Sequence, residues 1–361
     1  MNMQVQNISL NSFINKNYSA KQNNNSSAQY YSKEAVIGGR AHVSSEFYRA
    51  NAVPFCSLKL KASDRDNDFC DTYFYRDLYT LLNAGRILNE TFPEGTDIMD
   101  FACSNGEEAI SIHSLINDKN KGNYRLYCYD KSPKAIDLAK KGVHTVYRPG
   151  SGDGFILNKY QKDEVYDDVM RCFNEIMEET KRPNYDINDP DFLYFIMRHP
   201  DFKIKYYKVR DEYKDNFKYE RGNIFNIDKL GPKKAGAIFF RNAMYIPTNN
   251  YGIDEFDGLI SEKSVNKRKV INSIVDKVYD KLLPGGIFVV GESEKEHIYL
   301  ADKHAKEEEK IYIEDYDCYI YKDMLLENAL LKDGRFKPVV YSRCYSAFGE
   351  IKVPTVWQKV K

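Results

Sequence analysis

Asp97-Ile98-Met99-Asp100-Phe101-Ala102-Cys103-Ser104-Asn105-Gly106-Glu107-Glu108-Ala109-Ile110 is the stretch that decides the fold. A short apolar run ends in small residues, a glycine and two carboxylates, and an apolar helical pattern follows. That order reads as a strand, a tight turn and a helix N-terminus. Gly and Ser carry little side chain, so a ligand can approach the backbone of such a turn closely. A dinucleotide fingerprint needs three glycines, and only Gly106 is present. The acids Glu107 and Glu108 disfavour a pyrophosphate and suit a cationic or hydroxyl-bearing ligand.

Downstream, Tyr124-Arg125-Leu126-Tyr127-Cys128-Tyr129-Asp130 reads as a strand ending in an acid. Ser132-Pro133 then opens a helix, with proline at its first position and Ala135, Ile136, Leu138 and Ala139 on one apolar face. Asp130 lies 24 residues after Gly106. An acid at that distance, at the end of the second strand, is how doubly wound folds hold ribose hydroxyls. The alternative for Asp130 is a loop acid that caps the next helix.

Two later segments extend the pattern. Gly236-Ala237-Ile238-Phe239-Phe240-Arg241-Asn242 is an apolar run ending in polar residues. Leu282-Leu283-Pro284-Gly285-Gly286 and Ile287 to Glu294 form a turn followed by a β-rich run ending in Gly-Glu-Ser-Glu. Between them Val270, Ile271, Ile274, Val275, Val278 and Leu282 keep helical spacing. Strands alternating with helices predict a Rossmann-like α/β fold, with a mostly parallel sheet and right-handed crossovers.

These residues carry a resemblance. The chain resembles the CheR family of S-adenosylmethionine-dependent methyltransferases, which esterify glutamates on chemotaxis receptors. Thr72-Tyr73-Phe74-Tyr75-Arg76-Asp77 is similar to the family's T-x-F-F-R block, and Cys103 to Glu108 to its C-S-x-G-E-E turn. Arg241-Asn242-Ala243-Met244 is similar to its R-N-V-M segment, and Leu283 to Glu294 to its L-x-P-G-G…G-x-S-E end. A weaker match runs from Tyr207 to Phe225. The resemblance covers Cys70 to Glu294 and rests on blocks in the family's order and spacing.

The resemblance implies a class I methyltransferase sheet of seven strands with an antiparallel edge strand, S-adenosyl-L-methionine as cofactor, and a role for each matching residue. Thr72 and Arg76 would meet the cofactor's methionyl end, arginine suiting a carboxylate through bidentate pairing. Gly106, Glu107 and Glu108 would lie along the cofactor, and Asp130 would accept from its ribose. Asn223 and Ile224 would flank the adenine. Arg241 and Asn242 would face the methyl group and the acceptor, with Asn242 also touching the cofactor. Each has a plain structural alternative: an ion pair for Arg241, a helix N-cap for Thr72. The reaction implied is O-methylation of a glutamate on a protein, such as the cytoplasmic domain of a chemoreceptor.

The chain also departs from the family. Its R-N-V-M-I-Y-F continues here as Arg241-Asn242-Ala243-Met244-Tyr245-Ile246-Pro247, so Tyr245, the catalytic tyrosine that the resemblance implies at the acceptor carboxylate, arrives one place early. A one-residue slip reverses side-chain direction in extended chain. A clear counterpart of the family's helical N-terminal domain is missing. Residues 1–33 are Asn/Ser-rich and read as disordered; 34–96 read as a lead-in with the helix carrying Thr72 and Arg76; 97–361 read as the methyltransferase domain. An insertion at about 150–215 forms a small subdomain. It opens on a Gly-rich loop, Gly150 to Gly154, read as mobile. An amphipathic helix follows on Val165, Val169, Phe173, Ile176 and Met177. Near the C-terminus, Phe336 to Tyr341 and Val353 to Val360 are expected to close the sheet as an antiparallel hairpin.

Composition bounds the rest. Lys+Arg and Asp+Glu both number 53, which argues against a general nucleic-acid binder. No apolar run reaches membrane-spanning length, and no signal-peptide core opens the chain. Seven scattered cysteines make no disulfide framework, and no ligand spacing suggests a metal. A cytoplasmic enzyme is the expectation. The alternatives are a small-molecule methyltransferase or a regulatory protein that binds the cofactor without transferring its methyl.

Overall fold

The computed structural model describes residues 74–116, 124–148, 166–184, 203–241, 262–291, 310–316, 318–321, 325–346 and 349–360. All belong to one compact unit, Asp68–Ile187 with Asp201–Lys361. The Asn/Ser-rich N-terminus, Thr72, the Gly150 loop, Asn242 and Tyr245 lie outside the described residues.

The quoted stretch forms β1 (Asp97–Phe101) and α2 (Glu107–Ile116), preceded by α1 (Leu78–Thr91). β2 (Arg125–Asp130) and α3 (Pro133–Lys141) follow. α3 shows why its ends fall where they do. The Ser132 hydroxyl accepts from the Ala135 N–H, Pro133 takes the first position, and Gly142 closes the helix at φ 61°. α1 begins at Leu78 with Asp77 in the cap position, so Arg76 precedes the helix expected to carry it.

β6 (Phe217–Arg221), β7 (Ala235–Phe239), β8 (Leu282–Val289), β11 (Phe336–Ser346) and β12 (Gly349–Lys359) complete a seven-stranded sheet ordered β11-β12-β8-β7-β1-β2-β6, while β9 (Lys310–Ile313) and β10 (Cys318–Tyr321) pair with each other in a two-stranded sheet of their own. β1, β2, β6, β7 and β8 pair in parallel. The expected C-terminal hairpin is present. Its second strand, β12, slots antiparallel between β8 and β11, so the reversed strand stands one place in from the edge. The chain leaves β1 toward β2 and β6, then returns to β7 and β8 on β1's other side. The topological switch point is therefore between β1 and β7, where open α/β sheets bind ligands at the carboxyl ends of their strands.

One face of the sheet is covered by α5 (Glu262–Lys281), α6 (Leu325–Asp333) and the 3-10 turn Ile224–Lys229. The core there joins Met99, Phe101, Tyr129, Ile238, Ile274, Val278, Phe288 and Trp357. Side chains alternate along a strand, so Ile98 and Asp100 of β1 lie on the opposite face from Met99 and Phe101.

Between α3 and β6 the chain builds a second sheet of three antiparallel strands, ordered β3-β5-β4. These are β3 (Val143–Arg148), β4 (Met177–Thr180) and β5 (Lys203–Val209). The amphipathic helix expected here is α4 (Tyr166–Ile176), which buries Val169, Cys172, Phe173 and Ile176. The inserted elements begin at Val143, before the Gly150 loop. Phe173 packs edge-on against Phe74, with ring centroids 5.2 Å apart, and thereby ties the insertion to the segment that leads into α1.

Candidate functional site

The turn after β1 is built on left-handed backbone. Ala102 has φ 60°, Ser104 φ 52° and Gly106 φ 96°, so every second residue adopts a conformation that favours glycine. Strain of this kind persists where the surrounding structure holds it, commonly at ligand sites. The Gly106 N–H closes the turn on the Cys103 carbonyl at 2.9 Å. A Cβ at Gly106 would stand 2.8 Å from the Tyr219 hydroxyl of β6, so both φ and space require glycine there.

Asp130 ties this turn to the next. Its Oδ2 accepts from the Ser104 N–H at 2.9 Å and its Oδ1 from the Ser132 N–H at 2.8 Å. It does not cap α3, since Ser132 does that. Burial raises its pKa, against the pull of the two N–H donors. The Lys131 N–H lies against the same carboxylate, which still keeps acceptor capacity to spare.

Glu107 and Glu108 open α2, where the positive end of the helix dipole favours acids. Glu107 Oε1 accepts from Asn105 Nδ2 at 3.3 Å and lies 3.7 Å from His144 Nδ1 of β3. Glu108 Oε2 is 3.4 Å from Arg241 Nη2, while its buried Oε1 makes no hydrogen bond. Burial raises the Glu108 pKa and the Arg241 charge opposes it.

Arg241, two residues past β7, is 0% exposed at its side chain. Nη1 and Nη2 both donate to the Arg76 carbonyl oxygen, at 2.9 and 2.8 Å, and Nη2 is 3.6 Å from Asp77 Oδ2. The guanidinium that the resemblance places against the acceptor is therefore occupied within the protein. Half-buried Arg76 sits on the segment Phe74–Asp77, which Tyr75 anchors to α2. The Tyr75 N–H donates to Ser111 Oγ at 2.9 Å, and the Tyr75 hydroxyl lies 2.9 Å from Ser114 Oγ.

Asn223 is exposed, and its Oδ1 accepts from the Phe225 N–H at 3.1 Å to cap the 3-10 turn. Ile224 is buried and belongs to the core cluster that includes Met99 and Tyr129. Thus Arg76, Gly106, Glu107, Glu108, Asp130 and Arg241 gather around the ends of β1, β2 and β7, while Asn223 and Ile224 stand just beyond β6.

Three groups escape the sequence reading. Asp100 is fully buried in β1 and neither carboxylate oxygen has a hydrogen-bond partner. Burial drives its pKa well above the usual carboxylate range, the Glu108 and Asp130 charges add to this, and Arg241 opposes. Its signal was an acid inside the apolar run Ile98-Met99-Asp100-Phe101, a residue type almost never fully buried without reason. Asp77 and Tyr219 gave no local signal, because their contacts lie far away in sequence.

Among the described residues no group of His, Cys, Asp and Glu is placed to hold a metal ion, and no helix is long and apolar enough to cross a membrane.

No protein-family model matches the chain, and no curated protein matches it. Three solved structures have a similar course. The O-methyltransferase from Bacillus cereus, in complex with SAH, is 8% identical, with 92% of this chain and 96% of that one covered and a TM-score of 0.35. Magnesium protoporphyrin IX methyltransferase from Synechocystis PCC 6803, with bound SAM, is 10% identical over 78% of each chain, with a TM-score of 0.32. TrmN from Thermus thermophilus is 10% identical at a TM-score of 0.32; 76% of this chain is covered, and it spans 48% of TrmN.

Proposed function

We propose that the chain is an S-adenosylmethionine-dependent methyltransferase. The observation that carries this reading is Asp100, a fully buried carboxylate without a hydrogen-bond partner beneath the β1 turn. A buried carboxyl without a hydrogen-bond partner is costly with or without its proton, so a cationic ligand that supplies the missing donor and favours the ionised form is the simplest reason to keep it. Glu108 Oε1 is a second acceptor of the same kind, and Ser104 Oγ and Asn105 Oδ1 are two more buried oxygens without partners. A pyrophosphate at the α2 N-terminus would instead meet Glu107 and Glu108. These unpartnered oxygens suit a ligand with an ammonium, a sulfonium and ribose hydroxyls.

In this reading Asp100 and Glu108 hold the amino group, Arg76 the carboxylate, and Asp130 the ribose through its remaining lone pairs. The Gly106 turn allows close backbone approach, and Asn223 lies toward the adenine. Thr72 joins Arg76, and Asn242 and Tyr245 take the methyl and acceptor end. The cofactor supplies a methyl group already activated by its sulfonium. The chain's own task is then to orient the two reactants and exclude water. A carboxylate acceptor is ionised at neutral pH and needs no base, which fits a protein glutamate in the manner of the CheR family. A small-molecule acceptor is the second reading. It is favoured by the occupation of Arg241, which withdraws from the acceptor end the cation that a carboxylate would meet.

Calorimetric titration with S-adenosylmethionine tests the cofactor, and labelled methyl transfer to lysate tests the acceptor. Label on protein that is released as methanol by mild base supports a glutamate ester. Label that survives base, or appears only in small molecules, replaces it with the second reading, and absence of cofactor binding removes both.

A further inference from the structure

We infer that Arg241 is a positioning residue: from the tip of β7 it locks the Arg76–Asp77 turn and Glu108 into one unit, and so sets cofactor affinity rather than acceptor binding. The inference rests on the methyltransferase reading and reassigns one of its residues. Three features place Arg241 in that role.

Both of its terminal nitrogens are committed. Two guanidinium nitrogens converge on the Arg76 carbonyl at 2.9 and 2.8 Å, which fixes the backbone of the residue expected to meet the cofactor carboxylate. The forked, planar head suits this double contact, and an ammonium could not copy it. Its acids are committed too. Asp77 stands at the start of α1, where an aspartate ordinarily caps the first turn through its side chain. Here it makes no such cap and adopts φ 54°, with Oδ2 3.6 Å from Arg241 Nη2. Glu108 Oε2 lies 3.4 Å from the same nitrogen, and its Oε1 has no hydrogen bond.

The third feature is the lack of space. Gly291, just past β8, has φ +74°, and a Cβ there would stand 3.1 Å from Arg241 Cβ and 3.4 Å from Asp77 Oδ2. The backbone thus closes on the arginine stem. A side chain sealed in this way orients its neighbours and does not swing toward a second substrate.

The test compares full-length Arg241→Lys, Arg241→Gln and Asp77→Asn with the wild type by S-adenosylmethionine titration across pH, alongside thermal unfolding. Arg241→Lys should keep the fold and raise the cofactor Kd about tenfold or more, since one donor replaces a fork. Arg241→Gln should move the acid limb of cofactor binding to higher pH, because Glu108 loses its nearest cation and takes up a proton sooner. A purely structural role would lower thermal stability and leave that limb in place. Asp77→Asn carries the test if both arginine variants fail to fold, and should weaken binding in the same direction. Native affinity and pH limb in the folded variants overturn the inference, as does lost transfer at unchanged cofactor Kd, which would return Arg241 to the acceptor. A wild type that does not bind the cofactor overturns the methyltransferase reading itself and this inference with it.

Discussion

The backbone N–H of Ser104 donates to Asp130 Oδ2 at 2.9 Å, so a carboxylate from the end of β2 holds the strained turn at the end of β1. With Ser132 on Oδ1 at 2.8 Å, one side chain satisfies a buried backbone donor from each of two turns. Asp130→Ala leaves both donors without an acceptor and is expected to destabilise the protein by about 1–3 kcal/mol. It should also weaken S-adenosylmethionine binding, because the ribose acceptor is gone. Denaturant unfolding and calorimetry on the same variant separate the two effects. Unchanged stability would mean that the tie carries no weight.

Asp100 sets stability against binding. Its folded-state pKa is raised, so its contribution is favourable below the unfolded value and is lost as pH rises through the folded one. At neutral and alkaline pH the buried carboxylate is therefore a burden to the free protein. Asp100→Asn should stabilise the ligand-free chain by about 1–3 kcal/mol at about pH 8 and by less on acidification, where the carboxyl of the unfolded chain takes up its proton too. The same variant should bind S-adenosylmethionine more weakly. A variant that is less stable at pH 8, or that binds as tightly as the wild type, contradicts the role proposed for Asp100.

How much of this was legible depended on distance along the chain. The β1 turn, α2, and Asp130 at the end of β2 were readable because period-2 and period-3.6 patterns, a proline and a capping serine are local signals. The occupation of Arg241 was not. Its partner is the carbonyl oxygen of Arg76, 165 residues away, and a backbone acceptor leaves no mark on the sequence. The small sheet was half legible. Val143-His144-Thr145-Val146 has the β-branched character of a strand, but nothing local says that it pairs with β5 instead of joining β2 in the main sheet. Asp100 is legible only as an acid inside an apolar run, because its neighbours give that run the pattern of a plain core strand.

The turn itself offers opposite outcomes at two neighbouring positions. Ser104 pays for φ 52°, and its buried hydroxyl has no hydrogen-bond partner. Ser104→Gly relieves the left-handed strain, partly offset by the greater freedom of glycine in the unfolded chain, for a net gain of about 0.5–1 kcal/mol. Gly106→Ala meets both a φ of 96° and the Tyr219 hydroxyl 2.8 Å from its new methyl, and should lose stability together with cofactor affinity. Chemical denaturation of both variants checks the pair. A stabilised Gly106→Ala would show that the turn is free to rearrange.

His113 makes α2 sensitive to acid. The ring is fully buried against Tyr213 and Phe217, with Nε2 3.0 Å from Asn216 Nδ2, and burial pulls its pKa down to about 3. The unfolded chain takes up a proton near the ordinary histidine value, and the folded chain does not until far lower pH. A group depressed in this way contributes stability that is present above its unfolded pKa and lost on acidification, at about 1.4 kcal/mol per pH unit inside the window. This trend opposes that of Asp100, so the wild-type profile alone is ambiguous. His113→Gln keeps a polar partner for Asn216 and removes the titration. The stability lost between about pH 7 and pH 5 should shrink by roughly 2 kcal/mol in that variant. Equal losses in the two proteins would show that His113 is protonated in the folded state or is reached by water. Because Glu107 and Glu108 sit on the same helix, acid weakening of α2 should also loosen the cofactor turn, and His113→Gln should hold S-adenosylmethionine to lower pH than the wild type does.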